Sequence, residues 1–434
     1  MNLIYWSYKL KNMIKTKHRK ISDEFVLEPT ELTQKKQNYE SIALSNQMPV
    51  VWHKAKDFYV FDREDNQWID MTAGIFTSNA GHSNPLICEA IKEQVDKLMF
   101  SFLYNTEVRY EFIEKLLEVS PSHFEKVVLL STGSEVTDIA IKLLKFWAKK
   151  NNRKHVITFR GSYHGRTLGS DFLCGNENST DWSGMKDNTI HFADFPYEEC
   201  EFDPSTLPDP KDIAAFFLET YQGWGAWLYP DKYIKDLYDY ARKHDILVCF
   251  DEIQAGFYRM GTLYGYMTYG DYIKPDMICL GKGLSSSLPM SAILATKELI
   301  DVDKKAVVGG THSGNPVCCA ASKANVEFLT SDYFHKDFKE RCDLFEDKSL
   351  DLLKFDSIAN INARGMVTGI ITKNTEIATA VVVKCIEKGV LPVCTFKNAI
   401  KLGPPLTISS DAIVEAFGVI EESIREVENE QNNS

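Results

Sequence analysis

From residue 87 to residue 294, short apolar runs alternate with longer stretches in which apolar residues recur every third or fourth position. The short runs predict strands at 126–130 (KVVLL), 155–159 (HVITF), 214–219 (AAFFLE), 246–252 (ILVCFDE), 277–281 (MICLG) and 291–296 (SAILAT). The longer stretches predict helices. In the one beginning at Ser134, Val136, Ile139, Ala140, Leu143 and Trp147 share one face. Strands joined by helical crossovers give an α/β fold with a mainly parallel central sheet and helices on both faces.

Beyond about residue 315 the chain becomes helix-rich, with further strands expected near 360–372 and 399–403. The segment 58–71 (FYVFDREDNQWIDM) alternates like a hairpin and is expected to pack with that later region. The resulting division is an N-terminal arm (1–45), the N-terminal part of a smaller α+β domain (46–86), a large domain (87–314) and the C-terminal part of the smaller domain (315–434).

Composition narrows the function classes. A formal charge of -12 over 434 residues argues against broad binding to nucleic acid or to acidic membrane surfaces. The longest apolar stretches, such as 377–383, fall far short of the roughly 20 residues that span a bilayer. Lys9, Lys11, Lys15, Lys17, Arg19 and Lys20 precede the first acid, Asp23, and predict a solvated arm; arginine and serine are too sparse for a transit peptide. The ten cysteines form no C-x-x-C pair and lie mostly in apolar runs, which suits thiols packed as small core residues in a reducing, cytoplasmic compartment and gives no zinc site.

Candidate chemistry collects where the predicted strands end, the edge at which open α/β sheets bind ligands. After 126–130 comes Ser131-Thr132-Gly133-Ser134, which reads as a phosphate seat at a helix start or as a plain cap, since Thr132-x-x-Glu135 also matches a capping box. After 155–159 come Tyr163, His164, Gly165 and Arg166: a ring able to stack on a flat ligand, and a guanidinium able to grip a carboxylate. Glu219 ends the next strand, with Trp224 between two glycines beyond it, and Asp251 and Glu252 end the fourth. Lys282 follows the fifth, between glycines; burial there would free its amine as a nucleophile. The Gly-Lys-Gly lacks the spacing of a nucleoside-triphosphate loop. Thr311 lies in a glycine-rich turn before a helix. A phosphate seat, a stacking ring, a carboxylate and an amine are the parts that pyridoxal phosphate requires.

In order, "STGSE", "YHGRT", "DEIQAGFYRMG", "LGKGLSSSLPMSA" and "GTHSGNP" resemble the motifs of the class III, or omega, aminotransferases of the fold-type-I pyridoxal-phosphate superfamily, from about Pro49 to the C-terminus. The resemblance implies that Lys282 holds pyridoxal 5'-phosphate as an aldimine and carries the proton, and that Asp251 pairs with the pyridine nitrogen. It also implies that Gln254 bonds near the ring hydroxyl, that Tyr163 and Ile253 cover the two ring faces, and that Gly133, Ser134 and Thr311 of the partner subunit hold the phosphate. A homodimer with interfacial sites follows from that last contact.

Two positions depart from the family pattern. Trp224 stands where relatives have a glutamate, and Lys401 stands where they have its arginine partner, which removes a bidentate carboxylate clamp. Arg166 still matches a carboxylate-binding arginine, and Ile75 beside Phe76 occupies a substrate-contacting position. The expected reaction moves an amino group from a primary amine or ω-amino acid with a partly apolar body to a keto acid. Decarboxylation, elimination, racemisation or aminomutation on the same cofactor is the alternative, followed by a noncatalytic binding role.

Overall fold

Seven strands form the central sheet: β1 (Lys126–Leu130), β2 (His155–Phe159), β3 (Ile190–Ala193), β4 (Ile213–Glu219), β5 (Leu247–Asp251), β6 (Met277–Leu280) and β7 (Ser291–Ala295). The computed structural model describes residues 13–41, 43–44, 48–175, 180–197, 201–395 and 397–432. The strand order is β1-β7-β6-β5-β4-β2-β3. Neighbours are parallel except at β7, which runs antiparallel to both β6 and β1. The segment between β6 and β7 is shorter than the dozen or so residues a parallel crossover needs, so the chain reverses there.

Every residue of β4 is buried, as expected of a strand covered on both faces. The helix Gly133–Lys150 covers one face through Val136, Ala140, Leu143 and Trp147, with Ile139 half-buried against the same cluster. All the predicted strands of this region are present within a residue or two. β3 was not among them, because its sequence IHFA has neither a clean apolar run nor strict alternation.

Two further sheets accompany this one, besides the two-stranded pair of Tyr221–Gln222 with Trp227–Leu228. Ile358–Arg364, Val367–Thr372, Ala399–Leu402 and Val393–Cys394 form an antiparallel sheet. The expected 360–372 segment is two strands, reversed at Gly365 with φ +62°, where a Cβ would come within 2.3 Å of the Met260 backbone. In the other sheet, Tyr59–Phe61 and Gln67–Asp70 pair as the expected hairpin, and Val390–Leu391 adds in parallel beside Gln67–Asp70.

In the described part of the arm Lys15, Lys17 and Lys20 are exposed, as expected of a solvated segment, while His18 and Ile21 are buried. Ile14–Lys15 and Lys20–Ile21 form a hairpin that joins the same sheet through Lys20 and Gln67. Arg19 donates to Glu415 and to the Lys388 carbonyl, both at 2.6 Å, and His18 is buried against Tyr59. Acids of the C-terminal helix Ser410–Asn432 thus meet cations distant in sequence. Lys9 and Lys11 lie outside the described residues.

Among the described residues no helix is long and apolar enough to cross a membrane, no cluster of three or more His, Cys, Asp or Glu residues is set to hold a metal, and the cysteines are free thiols. Cys200 is outside them.

Arg259 ties the sheets together. It is fully buried and donates to the carbonyls of Met366 (3.0 Å) and Pro404 (2.7 Å) and to Asn79 Oδ1 (2.7 Å); Asn79 in turn donates to the Phe257 carbonyl at 2.9 Å. Burial pulls its pKa down to about 10, so it remains charged at neutral pH. Removing the guanidinium strands three buried acceptors. Arg259→Ala is therefore expected to lower unfolding stability by about 3–5 kcal/mol, read as a fall in the denaturant midpoint, with Arg259→Lys intermediate.

Candidate active site

The carboxyl ends of β1, β2, β4, β5 and β6 converge on one cavity, lined among others by Gly133, Ser134, Tyr163, Glu219, Asp251, Gln254 and Lys282. One edge collects them because these five strands all run the same way.

At the end of β1, the capping reading of Ser131–Ser134 is realised. Thr132 accepts from the Glu135 N–H (3.3 Å) and Glu135 accepts from the Ser131 N–H (2.8 Å), a cap that leaves Gly133 and Ser134 opening the helix toward the cavity. The first helical turn has N–H groups without intrahelical acceptors and favours an anion. Ser134 Oγ accepts from the Arg166 N–H at 3.0 Å, and Gly165 permits that approach: with φ +140°, a Cβ there would lie 2.4 Å from the Ser134 hydroxyl.

Asp251 is buried with both oxygens engaged. Oδ1 accepts from the Ile253 N–H (3.0 Å) and Oδ2 lies 2.8 Å from His164 Nδ1. His164 packs edge-on against Phe217, and its Nε2 is buried without a hydrogen-bond partner among the described residues. Glu219 accepts from the N–H groups of Tyr163 and Gly223, each at 2.9 Å, yet desolvation still pushes its pKa up to about 7. Glu252 belongs to the core instead, where it accepts from the Gly265 (2.6 Å) and Tyr266 (2.8 Å) N–H groups and from Thr220.

Lys282 opens the turn after β6 with φ +41°, a left-handed backbone that a non-glycine residue adopts at some cost. Asn325 holds that turn by donating to the carbonyls of Gly283 (2.8 Å) and Leu284 (2.9 Å). Burial lowers the Lys282 pKa, against the pull of Asp251 and Glu219, which favours the neutral, nucleophilic amine. Ile253 lies between Gly133 and Gly281, where added Cβ atoms would meet it at 3.3 Å. A flat ring with an anionic tail and a carbonyl fits this donor set: a helix N-terminus and hydroxyl for the anion, an apolar floor, a partnered carboxylate and an amine whose pKa burial lowers.

Lys401, on the strand Ala399–Leu402, is buried behind Gln254. It donates to Gln254 Oε1 at 3.0 Å and to the Gly223 carbonyl, and its ammonium lies 4.4 Å from the Phe76 ring centre. Trp224 meets Tyr163 edge-to-face at 5.7 Å, and the Arg166 guanidinium lies 6.0 Å from the same Tyr163 ring.

Six candidate residues, Ile75, Phe76, Arg166, Trp224, Thr311 and Lys401, are not among the lining of their own chain's cavity. Left-handed backbone at Gly74, Ile75 and Phe76 leaves Ile75 47% exposed while burying Phe76, and Thr311 is exposed in its turn. Conversely, His164 and Tyr221 line the cavity without having been given a role from sequence. His164 stood inside the quoted "YHGRT", but nothing local tied it to Asp251, 87 residues away.

The chain matches the model of the family described as Aminotransferase class-III over residues 42–424. It is similar to an acetylornithine aminotransferase of Caldanaerobacter subterraneus subsp. tengcongensis, 31% identical over 88% of this chain and 96% of that protein. It is also similar to ornithine aminotransferase 2 of Staphylococcus aureus, 30% identical over 84% of this chain and 92% of that protein. The ornithine aminotransferase structure of Toxoplasma gondii ME49 superposes with a TM-score of 0.83 at 26% identity, covering 92% of this chain and 95% of that one.

Burial, with Lys282 and Arg259 nearby, brings the Lys401 pKa down to about 7 against the opposing pull of Glu219. An unfolded lysine titrates near 10.4, so between about pH 7 and 10 the unfolded chain binds more protons and this group adds stability as pH rises. Thermal denaturation of the cofactor-free protein should therefore show wild type gaining on Lys401→Met as pH is raised across that window. A constant difference would mean that Lys401 titrates normally.

Proposed function

The chain belongs to the class III aminotransferases, and from that membership we propose that the cavity beside Lys282 is where it carries out pyridoxal-phosphate-dependent transamination. The observation that carries the assignment is the convergence of Lys282, Asp251 and the Gly133–Ser134 helix start on one cavity. When bound, pyridoxal phosphate supplies a carbonyl that captures amines and a ring that withdraws electrons from the attached carbon.

The protein's own groups then have separable tasks. Lys282 provides the amine and moves a proton at its Nζ. Asp251, held by the Ile253 N–H and His164, keeps a negative charge available to a ring nitrogen. Gln254 offers its amide to the ring hydroxyl, Tyr163 and Ile253 enclose the ring, and Gly133 and Ser134 bind the phosphate. Arg166 receives the carboxylate of a substrate. Trp224, Phe76 and Lys401 shape the far end.

An amino donor and a keto acceptor are the substrates. We assign the donor as a primary amine or ω-amino acid with a partly apolar body, on the strength of Trp224 beside Tyr163. The active form is a homodimer in which Thr311 of the partner subunit completes the phosphate site and the exposed Ile75 reaches the partner's cavity. Exposed Met99, Phe100, Phe102, Leu103 and Tyr104 support a buried interface. Residues 87–314 form the cofactor-binding domain, 46–86 and 315–434 the smaller one, and the compartment is the cytoplasm.

Purified protein mixed with pyridoxal 5'-phosphate should develop a visible absorption band that survives dialysis. Lys282→Ala should lose that band, and Asp251→Asn should keep it while slowing its bleaching by amines at least about a hundredfold. A colourless wild-type protein, or a band unchanged in Lys282→Ala, would refute the assignment.

A further inference from the structure

Lys401 is the second buried amine of the site, and no step of transamination requires it. Both of its hydrogen-bond partners are carbonyl oxygens, the backbone of Gly223 and the side chain of Gln254. The rings of Phe76 and Tyr221 lie 4.4 and 5.9 Å from its Nζ and crowd other approaches. Gly223 is also held from its other side, since its N–H donates to Glu219 Oε2 at 2.9 Å. A Cβ on Gly223 would come within 2.6 Å of Gln254 Nε2 and 2.9 Å of Glu219 Oε2, so only glycine lets both side chains close over the turn. The next residue is Trp224, set edge-on against Tyr163.

We propose that Lys401 is a positioning and specificity residue: it clamps the Gly223–Trp224 turn and the Gln254 amide, so that the far end of the amino donor meets an apolar wall rather than a cation. The inference rests on reading the cavity beside Lys282 as the transamination site. Two of the three ammonium donors are committed to these carbonyls, so a substrate carboxylate would compete with Gly223 and Gln254 for the group beneath the crowding rings. Carboxylate recognition is thereby left to the cations outside the clamp, Arg166 near the Tyr163 ring (6.0 Å) and the exposed Lys397 over the Trp224 ring (4.8 Å).

The test compares wild type, Lys401→Met and Lys401→Gln, whose amide can still donate to two carbonyl oxygens. Acrylamide quenching of Trp224 fluorescence, taken as the difference from matched Trp224→Phe proteins, is measured without cofactor. Apparent affinities for 1-phenylethylamine and for 5-aminopentanoate are measured by bleaching of the cofactor band. Lys401→Met should increase Trp224 quenching and weaken both amines by about tenfold, and Lys401→Gln should restore quenching and both affinities to within about threefold of wild type.

Loss of 5-aminopentanoate affinity alone, without rescue by glutamine, would make Lys401 a carboxylate receptor and overturn the proposal. Unchanged quenching and affinities in Lys401→Met would overturn it as well. If even wild type forms no cofactor band, it is the reading of the site that fails, and the quenching comparison still decides whether the clamp exists.

Discussion

An ionisable side chain withdrawn from water must find partners or give up its charge, and the carboxyl edge of the central sheet is arranged around that constraint. Asp251 keeps both oxygens bonded, to a backbone N–H and to His164. Glu219 also accepts two N–H bonds, yet burial still pushes its pKa up to about 7. Lys282 and Lys401 respond in the opposite direction, and their lowered pKa values reflect desolvation that nearby carboxylates only partly offset. The outcome is a site with one firmly partnered acid and two amines whose pKa values burial lowers.

The site is completed from a second sheet. Lys401 enters on Ala399–Leu402, and Phe76 packs beneath it because Gly403 leaves room; a Cβ there would lie 2.0 Å from the Phe76 ring. Gly369 likewise faces the Gly225 carbonyl, where a Cβ would come within 1.9 Å. These close approaches hold the turn bearing Trp224 against the antiparallel sheet, and Arg259 fastens the same region through the carbonyls of Met366 and Pro404. The placement of Trp224 and Lys401 is in this way tied to how the flanking sheet seats on the central one, whereas Lys282, Asp251 and the Gly133–Ser134 helix start stand on the central sheet's own strand ends.

Much of this was legible in the chain. Buried parallel strands need apolar runs, and a residue closing such a run is placed at the ligand-binding edge, so Ser134, Tyr163, Asp251 and Lys282 were identifiable as one constellation before any coordinates. Five of the seven central strands announced both position and direction by these rules. The direction of β7 depended on the shortness of its connection, and β3 carried no periodic signal.

What the tertiary structure alone decided are contacts between residues remote in sequence. The pairing of His164 with Asp251, the docking of the 14–21 hairpin against Glu415, and the commitment of Lys401 to Gly223, 178 residues away, leave no local trace, because each partner is an ordinary residue type in its own segment. Sequence determined the reacting groups, since strand ends and glycine turns are local properties of the chain. Folding decided their charge states and the shape of the substrate's end of the site, since burial and hydrogen-bond partners exist only once distant segments meet.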